Sequence, residues 1–293
     1  MPVARPRPVP PSLAGIRLVA ADMDGTLLDE TGAVPDAFWP LLDRLEEQGI
    51  VFAPASGRPY PALADFFGEA AARLALIAEN GAYVVRDGVE VSSATMDRGF
   101  VERAVALVRG LPATRDMGLV LSGRAGAYVE RSDAEFLAQT RRFYTTLTVV
   151  DDLLAVPEEP LKLAVHDFVG AAAGGRDLLA GEFAPYQVLM SSQHWYDIMA
   201  PDVDKGVALR ALRHTLGVDR DQTVVFGDYL NDLGMMDQAT HTFAMANAHP
   251  EVVDACRYLA PSNRDHGVVT TLTRLLAASP RATAGRDRTA ARG

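Results

Sequence analysis

Two carboxylates one residue apart, Asp22 and Asp24, end an apolar run and are followed by Gly25 and Thr26. Side chains alternate along an extended chain, so the pair points the same way. Like charges aimed at one spot repel until a cation or a shared proton relieves them. Alone, the stretch reads equally well as an acidic turn with Asp24-Gly25 as a hairpin signal. Further polar groups recur downstream: Ser56 in Pro54-Ala55-Ser56-Gly57-Arg58-Pro59, Lys205 behind Asp204, and Asp228, Asn231 and Asp232 in one short segment. Each taken singly is an ordinary loop, helix cap or turn. Taken together they form one chemistry. Asp22, Asp228 and Asp232 supply hard oxygens suited to Mg²⁺. Lys205 and the Ser56 hydroxyl can neutralise and orient phosphoryl oxygens. A carboxylate attacking phosphorus gives an aspartyl phosphate, and a second carboxylate two residues on can move the proton.

The elements that must position these groups follow from apolar periodicity. Ile16 to Ala21 reads as a buried strand. Phe38, Leu41, Leu42 and Leu45 mark one face of a helix ending near Gly49, with Pro40 tolerated only in its first turn. Strands are expected at 50–53 and 74–78, so the first quarter alternates strand and helix like a parallel sheet with right-handed crossovers. In such sheets, ligands bind beyond the carboxyl ends of the strands. At Tyr83 the rhythm changes to a hairpin over 83–92. Helices then follow at 97–109, 132–143 and 171–183, with strands at 118–129, 161–168, 186–190 and 194–199. From Asp204, a plausible N-cap, the first rhythm returns: a helix to Gly217, strands at 223–226, 242–246 and 257–260, and a helix at 267–277. The expected fold class is α/β, a Rossmann-like parallel-sheet core at 15–83 and 192–277 with an α+β cap inserted at 84–191. Residues 1–14 and 278–293 read as flexible tails.

Composition narrows the classes of function. The 293 residues are 48% hydrophobic and 23% charged, typical of a globular protein. A net charge of −10 opposes a nucleic-acid role. The lone cysteine, Cys256, rules out an internal disulfide and a multi-cysteine zinc site. No apolar run is long enough for a membrane span. Arg5 and Arg7 ahead of Ala20-Ala21 imitate a secretion signal, but Pro10, Pro11 and Arg17 break it, which leads to the expectation of a cytoplasmic protein. His166, His194, Trp195 and Tyr196 have no motif around them and are expected to pack rather than bind.

The chain resembles the haloacid-dehalogenase superfamily, specifically its Cof-type, subclass IIB phosphatases with a large C2-type cap. The matching residues are Asp22-Met23-Asp24-Gly25-Thr26-Leu27, Ser56-Gly57-Arg58-Pro59, Glu79-Asn80-Gly81-Ala82, Asp204-Lys205-Gly206 and Gly227-Asp228-Tyr229-Leu230-Asn231-Asp232. Ser56 stands where threonine is commoner, and Pro54 replaces a residue with a strand N–H. The resemblance implies Asp22 as nucleophile, Asp24 as general acid/base and Lys205 as a catalytic cation. It implies Mg²⁺ held by Asp22, the Asp24 backbone carbonyl and Asp228, with Asp232 serving the metal or Lys205. Met23, Ser56, Gly57, Arg58, Lys205 and Asn231 would hold the phosphate. The expected activity is a Mg²⁺-dependent phosphatase of small phosphorylated metabolites, sugar phosphates or a phosphorylated cofactor. Alternatives are a phosphomutase, a phospho-accepting regulatory domain, which the cap and Asp24 oppose, and a non-catalytic phosphometabolite-binding protein. Nothing in the sequence specifies the substrate or the oligomeric state.

Overall fold

A computed structural model describes residues 12–278, apart from Ala113 and 171–173. Its first sheet has eight strands. β1 (Leu18–Asp22), β2 (Val51–Ala55) and β3 (Ala75–Ala78) run parallel on one side, and β12 (Thr223–Gly227), β13 (His241–Met245) and β14 (Tyr258–Ala260) run parallel on the other. The order is β14-β13-β12-β1-β2-β3-β4-β5, where β4 (Tyr83–Arg86) and β5 (Val89–Ser93) add an antiparallel hairpin. From β1 the chain winds one way to β2 and β3, and later the other way from β12 to β14. β1 is therefore the topological switch point, where a crevice opens at the strand ends.

Alternating side chains of β1 explain the layers. Val19 and Ala21 join Phe38, Leu41, Leu42 and Leu45 of α1 (Phe38–Glu47), beneath α2 (Tyr60–Phe67) and α9 (Gly267–Ala277). Leu18 and Ala20 join Leu209 and Leu212 of α6 (Lys205–Leu216), with α7 (Leu233–Met236) and α8 (Pro250–Ala255) on the same side. Pro40 lies in the first turn of α1, where its missing N–H costs nothing. Pro54 has a visible cost. The Ser56 amide donates to Ile77, so Pro54, two residues earlier on the same strand edge, also faces β3 but has no N–H to give. The β2–β3 ladder is correspondingly short, with a single registered pair, Ala55 and Ile77.

The second sheet has six strands in the order β10-β11-β9-β6-β7-β8: β6 (Met117–Ser122), β7 (Ala127–Val129), β8 (Leu147–Val149), β9 (Lys162–Asp167), β10 (Gln187–Ser192) and β11 (Trp195–Met199). All neighbours are antiparallel except β7 and β8. One face packs on α3 (Arg98–Arg109) and α5 (Gly175–Phe183) through Phe100, Leu179 and Phe183. The other carries α4 (Ala134–Thr140) through Phe136 and turns toward the first sheet.

Several boundaries differ from those expected. The hairpin 83–93 pairs with β3, and so belongs to the first sheet instead of opening the cap at 84. β11 pairs with β9 and β10, and so closes the cap sheet, whereas a core segment beginning at 192 had been expected. Backbone pairing decides membership, and a strand pattern alone does not reveal its partner. Leu13, assigned to the N-terminal tail, is buried in the core. Residues 1–11, 171–173 and 279–293, which held most of both tails and the start of one expected helix, lie outside the described residues. No helix among the described residues is long and apolar enough to cross a membrane.

Candidate active site

The site begins where β1 runs out. Asp22 is the last residue of β1 and is buried. The chain then turns sharply over Met23–Leu27, where Gly25 at φ 87° takes a conformation that a side chain would strain. A Cβ on Gly25 would also collide with the Asp228 carboxylate. The turn thus brings Asp228, at the end of β12, against the loop after β1. Thr26, also buried, fixes it there by donating its hydroxyl to Asp228 Oδ1 at 2.9 Å.

Lys205 reaches the same place from the first residue of α6. Asp204 caps that helix through the amides of Gly206 and Val207, as its sequence position indicates. The Lys205 ammonium is buried, donating to Asp22 and, at 2.8 Å, to Asp232 Oδ1. The other Asp232 oxygen accepts the amides of Asp228 and Tyr229 at 3.0 and 3.1 Å. Both oxygens of Asp232 are therefore engaged in holding Lys205 and the loop after β12.

These groups shift one another's protonation. Burial pushes the Asp22 carboxyl well above its usual range, and the Asp232 charge adds to this while Lys205 opposes it. Burial raises Asp228 to about 6, against the Thr26 hydrogen bond. Burial works against a charged Lys205, but Asp22 and Asp232 more than offset it and keep the ammonium charged.

Asp22, Asp228 and Asp232 each offer one oxygen within 4.8 Å of the others. Three carboxylates against one ammonium leave two negative charges, the charge that one divalent cation cancels. All donors are carboxylate oxygens, the type hard divalent cations prefer. The residues therefore fit such an ion, with Asp22 and Asp228 the better placed. The Asp24 carboxylate lies outside this group. It is mostly exposed and pairs with Arg58, whose Nη2 and Nε donate to its two oxygens at 2.7 and 3.3 Å.

The phosphate-side residues line the same cleft in part. Ser56 is buried at the end of β2, its hydroxyl accepting the Arg58 amide at 3.1 Å, and Gly57 and Arg58 follow along the wall. Asn231 lines the opposite wall and donates to Asn80 Oδ1 at 3.4 Å. The Met23 side chain is buried in the core cluster beneath α1, so only its backbone can serve a phosphate.

The cleft, about 1040 Å³, lies between the two sheets, with the carboxylates and Lys205 on one side and β9, β10 and β11 on the other. Trp195 borders it while packing on His166, Phe143 and Tyr144, whereas Tyr196 faces away into the core of the second sheet. Sequence reasoning missed Lys162, a buried lysine of β9 bordering this cleft. Its ammonium pairs with Glu79 at 2.6 Å and Asp197 at 3.5 Å and donates to the Gly57 carbonyl at 3.1 Å. Thr26, too, carried no sequence signal beyond its place in the first motif.

Known proteins resemble the chain in sequence and fold. A family model described as haloacid dehalogenase-like hydrolase matches residues 19–272. The chain is 30% identical over 277 residues to the 5-amino-6-(5-phospho-D-ribitylamino)uracil phosphatase YbjI of Escherichia coli, covering 89% of this chain and 96% of that one. It is 26% identical over 240 residues to an HMP-PP phosphatase of Yersinia enterocolitica, covering 80% and 86% of the two. The crystal structure of TM0651 from Thermotoga maritima superposes with a TM-score of 0.80 at 24% identity, covering 88% of this chain and 97% of that one, and so shares the fold. The carboxylates at the switch point, the inserted second sheet and a match over most of the chain lead to one conclusion: the chain belongs to the haloacid dehalogenase-like hydrolases and, among them, to the phosphatases.

Proposed function

We propose that the protein is a Mg²⁺-dependent phosphatase that hydrolyses small phosphorylated metabolites, sugar phosphates or a phosphorylated cofactor, through an aspartyl phosphate on Asp22. The observation that carries this reading is Lys205 buried between Asp22 and Asp232, with Asp228 beside them at the switch point of the sheet. Asp22 and Asp228 would hold the cation, together with the Asp24 backbone carbonyl, and Asp232 would steady Lys205 and the loop after β12. When bound, the ion would cancel the carboxylate charge and polarise the phosphoryl oxygens.

The chain's own residues supply the rest. Lys205 would favour the ionised form of Asp22 against its burial and would aim it, so that a carboxylate oxygen can attack phosphorus. The Ser56 hydroxyl, the Gly57 backbone, the Met23 amide and Asn231 orient the phosphoryl oxygens, and Lys205 offsets their charge. Asp24 would give a proton to the departing oxygen and then take one from the water that hydrolyses the acyl phosphate. Arg58, paired with Asp24 in the structure, would add a positive charge to the phosphate once it leaves that carboxylate. Relatives that act on a phosphoribityl-aminouracil and on HMP-PP support a small phosphorylated substrate.

A screen of phosphorylated metabolites with and without Mg²⁺, using Asp22→Asn as control, tests the assignment. Turnover should require both the cation and Asp22, and radiolabelled phosphate should be trapped only on the wild-type chain. Phosphatase activity surviving in Asp22→Asn overturns the role of Asp22.

A further inference from the structure

Three consecutive carbonyls of the loop after β2 are held from outside that loop. The Ser56 carbonyl accepts the Asn80 amide at 2.9 Å, and the Arg58 carbonyl accepts the Glu79 amide at 3.0 Å. The carbonyl between them, that of Gly57, is taken by the Lys162 ammonium at 3.1 Å. Two of the donors thus belong to the turn after β3, and the third is the first residue of β9, in the other sheet. A Cβ on Gly57 would stand 3.0 Å from the Asn80 side chain, so loop and turn also pack closely.

Holding a carbonyl aims the amide bonded to it, because a trans peptide is planar and its C=O and N–H point opposite ways. Asn80, on the Ser56 carbonyl, therefore turns the Gly57 N–H away from the turn after β3. Lys162, on the Gly57 carbonyl, likewise turns the Arg58 N–H away from β9, and that amide donates to the Ser56 hydroxyl oxygen at 3.1 Å. The Arg58 amide occupies one side of the hydroxyl, so its proton must point elsewhere, and Ser56 borders the cleft. A charged donor polarises a peptide more than a neutral one, and each link in such a chain strengthens the next. Lys162 is itself fixed in place: it is buried, Glu79 pairs with it at 2.6 Å, and the Ser122 hydroxyl of β6 holds Glu79 at 2.6 Å.

Resting on the reading of Ser56 as a phosphate donor, we propose that Lys162 is a positioning residue for the phosphate. Acting through the Gly57–Arg58 peptide, it fixes the Ser56 hydroxyl with its proton toward the phosphoryl oxygens. The second sheet then does more than cover the cleft, because it sets a donor carried by a loop of the first. Lys162 need not touch the phosphate to do so. Its effect falls on the phosphoryl group alone, and so is the same whatever alcohol the phosphate is esterified to.

The test is a double-mutant cycle of Ser56→Ala and Lys162→Met in the full chain with Mg²⁺. Every arm carries Glu79→Gln, so that removing Lys162 strands no charge at Glu79 and the variants fold. The readouts are kcat and KM on p-nitrophenyl phosphate and glucose 6-phosphate, and the inhibition constant of inorganic phosphate. Ser56→Ala should weaken inhibition by phosphate about tenfold, the worth of one hydrogen bond to a charged group. Lys162→Met should weaken it about three- to tenfold, with KM rising by the same factor on both esters and kcat falling less. The two changes together should lose no more than Ser56→Ala alone, to within about twofold, because Lys162 then has no hydroxyl to aim. Losses that multiply in the double variant, losses that differ between the two esters, or an unchanged phosphate affinity in Lys162→Met overturn the proposal and leave the phosphatase reading standing. Absence of Asp22-dependent turnover of every ester overturns that reading, and this one with it.

Discussion

Two lysines are buried in this molecule, each between two carboxylates, and they face different tasks. Lys205 lies within the first sheet's layers and touches Asp22, the last residue of β1, and Asp232, in the turn between β12 and α7. Lys162 crosses from the second sheet to the first, joining Asp197 of β11 to Glu79 and to the carbonyl of Gly57. In both, burial disfavours the ammonium and the paired carboxylates more than restore it. The charge pattern is the same, so the partners decide what each lysine does. Lys205 holds Asp22, the carboxylate proposed as nucleophile. Lys162 holds a turn: Glu79 and Asn80 sit at φ 51° and 54°, a conformation that strains residues other than glycine. Their amides bond to the Arg58 and Ser56 carbonyls, and the Ser122 hydroxyl donates to Glu79 at 2.6 Å. A buried lysine between two carboxylates is thus not in itself an active-site signature.

Substitutions can break or sharpen this contrast. The largest effect belongs to Asp22→Asn, which should lower kcat by about 10⁴-fold or more in steady-state assays. Lys205→Met comes next. It strands two buried carboxylates, at a cost of about 3–5 kcal/mol in denaturant unfolding, and turnover should fall with it. Lys162→Met should cost a similar ~3–5 kcal/mol but reduce turnover much less than Lys205→Met. The double variant Lys162→Met with Glu79→Gln should recover part of that stability, because no charge is then stranded at Glu79. If Lys162→Met matched Lys205→Met in lost turnover, the two lysines would share one role and the contrast would fail. Gly25→Ala should weaken divalent-cation binding, measured by titration calorimetry, and cost about 1–3 kcal/mol from its φ of 87° and the contact with Asp228. Arg58→Ala removes an exposed pair with Asp24, so its stability should change by less than about 1 kcal/mol.

The same contrast explains what the sequence disclosed. The residues around Lys205 occupy short local motifs at the ends of strands, and the alternation of strand and helix places those ends together. Asp22, Asp228, Asp232 and Lys205 were legible for that reason. Lys162 and Asp197 sit in strands whose neighbours look like any cap strand, and Glu79 lies in the turn between β3 and β4 of the first sheet. Only the pairing of β9 with β11, and the docking of one sheet on the other, brings them into contact. The membership of β4, β5 and β11 was hidden likewise, since a hairpin pattern reads the same whichever sheet it joins. Asp24 was legible as a second carboxylate, but its pairing with Arg58 depends on the loop after β2. The four-residue α7 and six-residue α8 are too short to show helical periodicity.

On the proposed reading, the surplus of two negative charges that three ionised carboxylates leave around Lys205 would make cation loading a folding event as well as a catalytic one. An ion that binds the folded chain and not the unfolded one lends its binding free energy to the fold, about 2.7 kcal/mol at a hundred times its dissociation constant. The melting temperature of the wild-type chain should therefore climb with the logarithm of Mg²⁺ concentration. In Asp228→Asn that climb should flatten, which gives a readout of site occupancy that needs no substrate.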